Sequence, residues 1–334
     1  MSMYHLNRRS FLTSTAAILA STVVGGGVAA AGQISIDRIN FLVPFSPGSG
    51  SFDLTCHAAA TALNTTKLVK SATVQNIDGG GGARAYEHLA DHSADSRNTI
   101  MLVGTSMMAR SGKGAFPYKI GDLTAVARFS IEPLTFAVKA DSRFKSLKDV
   151  VAALRADPAS IRFSSDSDPG LSEHLCAAKM LAKAGIAPKS VTYVPRTGHG
   201  RHIEAMLAGE VDVVVAAAAD ILEHYKDKSA RVLAVSAEKR AAQLPDAPTL
   251  AEVGLPDAFF YNARGFFMAP STDAARANAM GDVLEKMVAT PEWEKAAKEA
   301  EVTMLFARLP EAKTFFEDQE RDVHVLQTAL GVAK

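Results

Sequence analysis

From residue 39 onward, short apolar runs alternate with segments of helical periodicity, a pattern that predicts layers of α and β structure. The apolar runs predict strands at 39–44, 72–76, 99–104, 134–139, 161–164, 191–194, 211–215 and 231–236. Apolar positions recurring three and four apart predict helices at 52–64, 82–91, 146–156, 171–184, 200–208, 219–225 and 273–289, with two more before the C-terminus. Leu309-Pro310 reads as a helix start, continued by Phe315, Phe316, Val323 and Leu326. Trp293 and the Phe and Met positions of the last helices recur at helical spacing and read as core. No internal repeat interrupts the pattern.

Two segments, 128–139 and 259–270, read as passages of the chain between lobes. They divide it into a first lobe of 32–131 and 257–334 and a second of 132–256. In such an arrangement a ligand sits where loops at the carboxyl ends of strands face one another.

Five loops at predicted strand ends carry small and hydroxylated residues. The first, Phe45-Ser46-Pro47-Gly48-Ser49-Gly50-Ser51, opens a helix whose first turn holds Asp53. Its glycines admit close backbone approach, and the free N–H groups of a helix start suit an anion. No Gly-Lys-Ser/Thr follows, so it is not a P-loop, and the glycine spacing is not that of a dinucleotide fold. The others are Asn76 to Gly82, Gly104-Thr105-Ser106, Ser164 to Ser172, and Pro195 to Gly200. Together they predict a polar cleft lined by Phe45, Ser46, Gly48, Ser49, Gly50, Ser51, Thr105 and Ser106. From the second lobe they add Ser165, Ser167, Gly170, Ser172, Arg196, Thr197, Gly198 and His199. Arg264, Arg196 and His199 are the candidates for a direct contact with an anionic group. Phe45, Phe52 and Phe266 are candidates for packing against an apolar ligand body. The first loop and Ser164–Ser172 are expected to face each other.

Residues 1–31 read as an export signal. Arg8 and Arg9 precede Ser10-Phe11-Leu12, the twin-arginine pattern, and Ala29-Ala30-Ala31 offers a cleavage site. The 36 basic residues lose two arginines with that segment while the 36 acids remain, a formal charge of −2. That balance gives no support for nucleic-acid binding or a polybasic membrane patch. Cys56 and Cys176 read as buried thiols on separate helices, a disulfide between them being the lesser alternative. Enzymatic motifs are thin. Gly-x-Ser-x-Gly is absent, and a Ser106/His174/Asp168 triad has no motif behind it. The pairs His88/His92 and His199/His202 lack HExxH or CxxC company and read as solvated helix-face residues, not a metal site. Asp166 and Asp168 read as solvent-facing residues that serve the following helix start, the alternative being that they point inward, repel an anion and hold an amine. No cofactor is expected.

Val43 to Gly48, Asn76 to Gly82, Val194 to Gly198 and, above all, Leu244-Pro245-Asp246-Ala247-Pro248-Thr249-Leu250-Ala251-Glu252-Val253-Gly254 resemble the solute-binding proteins of tripartite tricarboxylate transporters, the Bug family. The resemblance covers essentially all of the chain after the signal. It implies a periplasmic, type II-like two-lobed binding protein, monomeric, that closes over a small carboxylate and delivers it to two membrane subunits. It also implies that Ser46–Ser51 and Ser164–Ser172 bring backbone groups and hydroxyls to the carboxylate. The chain departs from the family pattern at several positions. Cys56-His57 replaces Ala-Arg, Thr197 a lysine and Arg196 an aromatic residue, while Asp166 and Asp168 enter a normally neutral segment. Ala216 stands where amino-acid-binding members often have an aspartate for the ligand's ammonium. On that ground the expected solute is an acid without an amino group, an aliphatic dicarboxylate or an aromatic carboxylate. The alternatives are an exported hydrolase or metal-dependent lyase on the same fold, or a receptor that feeds a membrane sensor kinase.

Overall fold

The computed structural model describes residues 34–333 apart from 49, 92–93, 117–118, 199, 271 and 301. The export signal, Ser49, His92 and His199 therefore lie outside the described residues. Two mixed sheets account for the strands. The first has β1 (Arg38–Val43), β2 (Ser71–Asn76) and β3 (Thr99–Gly104), followed by β4 (Thr124–Glu132). The second holds β5 (Leu134–Lys139), β6 (Arg162–Ser164), β7 (Thr192–Tyr193), β8 (Val213–Ala217) and β9 (Ala230–Ser236). The chain then returns to the first sheet with β10 (Asn262–Met268) and β11 (Thr303–Arg308). Strand order is β11-β4-β10-β3-β1-β2 in the first sheet and β7-β6-β8-β5-β9 in the second.

Only Pro133 separates β4 in one sheet from β5 in the other. A strand cannot pair with both sheets, and proline, lacking an N–H, suits the break. β1 pairs in parallel with β2 and β3, whereas β10 lies antiparallel between β3 and β4. Burial on both faces explains the unbroken apolar run Phe41-Leu42-Val43 at the end of β1, each fully buried.

The helices are α1 (Ser51–Thr66), α2 (Ala83–Ala90), α3 (Thr105–Gly112), α4 (Leu147–Ala156) and α5 (Ser172–Lys183). They continue with α6 (Arg201–Leu207), α7 (Ala218–Lys226), α8 (Ala274–Val288), α9 (Pro291–Glu299) and α10 (Glu311–Leu330). Local chemistry sets their starts. Ser146 and Asp149 form a reciprocal capping box at α4, and the Thr290 hydroxyl accepts from Trp293 N at α9, with Pro291 in the first turn. Apolar spacing then decides the buried face, as with Leu147, Val150, Val151 and Leu154. Trp293 is core, packed edge-on to Phe129 at 5.1 Å between ring centres. Cys56 and Cys176 are free and buried, and desolvation pushes the Cys176 thiol up to about 12.

β4, β10 and β11, read from the sequence as connections or left unassigned, are strands, and α3 is a helix that the pattern did not reveal. β10 has no alternation because all seven of its residues are buried. Its register against β4 shifts between Arg264 and Gly265 and again between Phe266 and Phe267. Gly265 has no room for a side chain, since a Cβ there would lie 2.3 Å from the Phe316 ring and 2.8 Å from the Ala127 carbonyl. Phe266 packs at 4.7 Å from Phe129 and 5.3 Å from Phe41, so it belongs to the core and not to a ligand surface.

The Leu244–Gly254 motif is a structural bracket. Thr249 and Glu252 satisfy each other's backbone N–H, and Arg240 binds both Glu252 oxygens at 3.0 Å. Val235 N donates to Pro248 O and Leu250 N to Val235 O, which pins the motif to β9. α10 ties the two sheets' elements together. Buried Gln327 donates from Nε2 to Ala109 O in α3 and to Gly170 O ahead of α5.

Candidate functional site

Arg264 is the central residue. A bulge such as the one beside it re-aims side chains and recurs next to active sites. The residue is only 7% exposed, unusual for arginine. Both of its protein hydrogen bonds use Nη2, which donates to Ser51 Oγ at 2.8 Å and to Glu132 Oε2 at 3.2 Å. The Phe52 ring lies 5.0 Å from Cζ, within cation–π reach. Nε is buried without a partner, leaving the guanidinium with unused donors.

Arg264 borders a cavity of about 350 Å³. Phe52 on α1, Ser106 and Arg110 on α3, and Asn262 and Arg264 on β10 enter its wall from the side of the first sheet. Asp166, Ser167 and Asp168 after β6, Ser172 and Glu173 on α5, and Thr197 after β7 enter from the side of the second. The site therefore depends on both halves of the chain. Arg110 lies against the Gly-rich loop, where a Cβ on Gly81 would stand 2.7 Å from its Cδ. Gly81 also has a φ of +64°, so glycine answers both the conformation and the close approach. Arg264, Ser51 and Glu132 line a second cavity of about 640 Å³ as well.

The cavity is more acidic than its arginines suggest. Burial first, then Glu132 and Asp166, pushes Glu173 up to about 7, against a hydrogen bond from Ser167. Outside the wall, on α7, partial desolvation followed by Glu132 and Asp166 pushes Asp220 up to about 6. Asp166 and Asp168 both border the cavity, Asp168 exposed to solvent as expected and Asp166 half-buried, but the expectation that they serve the helix start fails. Neither caps α5, whose N-cap residue is Leu171 with no side-chain capping bond. Asp166 instead accepts from Gly198 N, so Gly198 positions a carboxylate.

Several predicted ligand residues are committed to the fold. Thr105 is fully buried, donating to Tyr261 O and accepting from Ala263 N, which fastens α3 to β10. Ser165 is equally buried and bonded to Tyr193 OH at 2.6 Å. Ser46 donates to Asp78 Oδ2 at 2.6 Å, joining the first two loops. Gly48 N donates to Asp53 Oδ2, so the anion this part of the loop holds is the protein's own. Phe45 packs edge-on to Phe52 at 4.9 Å. Phe45, Ser46, Gly48 and Gly50 are not in the cavity wall; the first loop reaches it through Ser51, which positions Arg264, and through Phe52. Gly170 is buried, with a Val332 methyl 2.7 Å from where its Cβ would be. Arg196 turns away, 3.6 Å from Glu210. Ser106, Ser167, Ser172, Thr197 and Arg264 do meet at the cavity. The sequence reading missed Arg110, Asn262 and Glu173 there, with Glu132 behind Arg264.

Catalytic readings find little geometry. His174 stacks on Tyr193 at 3.7 Å, accepts from Gly170 N through Nδ1, and is pushed down to about 4, chiefly by burial. That ring is a neutral brace for the 164–172 loop. His202, expected on a solvated face, is 1% exposed. Among the described residues no group of three or more His, Cys, Asp or Glu is placed to hold a metal. Ala216 is a core residue of β8, 1% exposed, with its carbonyl accepting from Thr135.

Residues 58–331 match the family profile described as the tripartite tricarboxylate transporter family receptor, TctC. BugT of Bordetella pertussis is 28% identical over 259 residues, covering 74% of this chain and 76% of BugT. A TctC solute-binding protein from Polaromonas, solved without ligand, superposes with a TM-score of 0.75 at 21% identity, over 88% of this chain and 98% of that one. An R. palustris protein solved with adipate superposes with a TM-score of 0.69 at 19% identity, over 89% of this chain and 98% of that one. The two mixed sheets are thus the fold of these binding proteins, and the profile match over most of its length places the chain in the TctC family of tripartite tricarboxylate transporter receptors.

Proposed function

We propose that the chain is a periplasmic, non-enzymatic receptor that closes over a small organic carboxylate and hands it to the membrane subunits of a tripartite tricarboxylate-type transporter. The observation that carries the reading is Arg264, a buried guanidinium with unused donors at a cavity shared by the two sheets. Arginine's planar fork suits a carboxylate, and each charge-assisted bond contributes roughly 1.5–3 kcal/mol. The family membership and the adipate-bound relative support the same ligand class. Residues 32–131 with 257–334 form one lobe and 132–256 the other, and the protein acts as a monomer. Thermal-shift measurements with mono-, di- and tricarboxylates test the reading, because a ligand at a hundred times its Kd stabilises the folded state by about 2.7 kcal/mol. At least one carboxylate is expected to raise the midpoint and to do so less in an Arg264 variant. No shift with any of them would overturn the reading.

Export follows the twin-arginine route in this reading, because Arg8 and Arg9 form a receptor-read address. Changing Arg8→Lys with Arg9→Lys is expected to leave precursor in the cytoplasm, detectable by fractionation. A normal periplasmic yield would rule the route out.

A further inference from the structure

We propose that Asp166, Ser172 and Glu173 form an ammonium subsite, so that the solute is an ammonium carboxylate and not a di- or tricarboxylate. The inference rests on the carboxylate-receptor reading and supplies the other end of the solute.

Charge is the first argument. Two arginines, Arg110 and Arg264, line the cavity against three carboxylates, Asp166, Asp168 and Glu173. Glu132 already pairs with Arg264, which removes much of its charge from what a ligand meets. Among the described residues no lysine or arginine pairs with Asp166, Asp168 or Glu173. A dicarboxylate would bring two more negative charges to a wall in which carboxylates already outnumber arginines. An ammonium supplies the missing counter-charge.

Ser172 is the second and independent argument. It lines the same cavity, is 2% exposed, and its Oγ has no hydrogen-bond partner. Buried hydroxyls normally find a partner, and this one sits beside Glu173 in the first turn of α5. An ammonium has three donors and no acceptor, so two carboxylates and a hydroxyl match its needs. The rise of Glu173 toward neutrality accords with a carboxyl that lacks a cation. Among the described residues the three carboxylates of the wall are not placed to hold a metal ion together, which favours an organic cation. The subsite is also not the one implied by the family resemblance, since Ala216 is buried in the core.

Calorimetry on the whole mature protein with matched acids decides the matter: pentanoate against 5-aminopentanoate, glutarate against glutamate, and 1,4-diaminobutane as the cation alone. One or both amino forms are expected to bind at least about tenfold more tightly than their matched acids. Asp166→Asn and Glu173→Gln, each checked by its melting midpoint, are expected to cut that advantage to about threefold or less while the plain acids bind as well or better. Tighter binding of pentanoate or glutarate than of their amino forms would overturn the subsite and leave the carboxylate receptor standing. Equal binding of both forms, unmoved by either variant, would overturn it in the same way. Binding of 1,4-diaminobutane with no carboxylate bound would overturn the receptor reading and the subsite with it.

Discussion

Replacing Arg264 with methionine is expected to weaken carboxylate binding by about a hundredfold or more, the scale of losing a buried, hydrogen-bonded charge partner. The expectation follows from the geometry of one side chain. Arg264 is buried, is held through Nη2 by Ser51 and Glu132, and has Nε unpartnered. A ligand oxygen there gains a charge-assisted bond whose donor is already oriented, so little ordering remains to oppose it. Methionine retains volume beside Phe52 and removes every donor.

The single variant also leaves Glu132, whose side chain is 26% exposed, without its cation. That defect lowers stability by itself and would confuse the reading of affinity. The double variant Arg264→Met with Glu132→Gln separates the two. It should recover much of the melting midpoint while binding stays lost. Arg264→Lys should fall between, since a point charge replaces the fork. If the double variant regained affinity with its midpoint, Arg264 would be a structural partner of Glu132 and nothing more.

Much of the scaffold was legible in the sequence because local signals and tertiary environment agree there. β3 and β5 match their predicted spans at both ends, and α4 begins within one residue of its prediction, where Ser146 and Asp149 cap it. The failures share a cause. β10 lies inside a sheet with both faces covered, so Asn262-Ala263-Arg264-Gly265 shows no alternation and contains residues that usually mark a link. Arg264 was identified as a possible charge contact, but not the strand that aims it. The serine-rich loops misled for a different reason. A hydroxyl in a tight turn serves the turn as readily as a ligand, and Ser46, Thr105 and Ser165 do the former. The acidic character of the wall was the least legible feature. Asp166 and Glu173 of the wall, Glu132 on β4 and Asp220 on α7 come from three separate stretches, and only the fold brings their charges to bear on one another.

That wall leads to the second large effect, which is on stability. Glu173→Gln is expected to stabilise the ligand-free protein by about 3 kcal/mol at pH 8 and by almost nothing at pH 4, the linkage expected of such a shift. The sign follows from proton counts. Glu173 titrates near 4.5 in the unfolded chain and is pushed up to about 7 when folded, by burial and then by Glu132 and Asp166. Between those values the native state holds the proton more often than the unfolded state, so stability falls as pH rises through the window. Glutamine carries no charge at any pH and is free of that fall. His174, pushed down to about 4, gives wild type an opposite slope over much of the same range, as native imidazole sheds its proton before unfolded imidazole does. Because both proteins carry that histidine, the difference between their urea-unfolding free energies isolates Glu173. The difference should open between about pH 4.5 and pH 7 and then level off. A constant difference across that range would mean that Glu173 ionises normally and the wall bears no uncompensated charge. An ammonium carboxylate at saturation should close the gap at pH 8, because a cation beside Glu173 favours its ionised form in the native state alone.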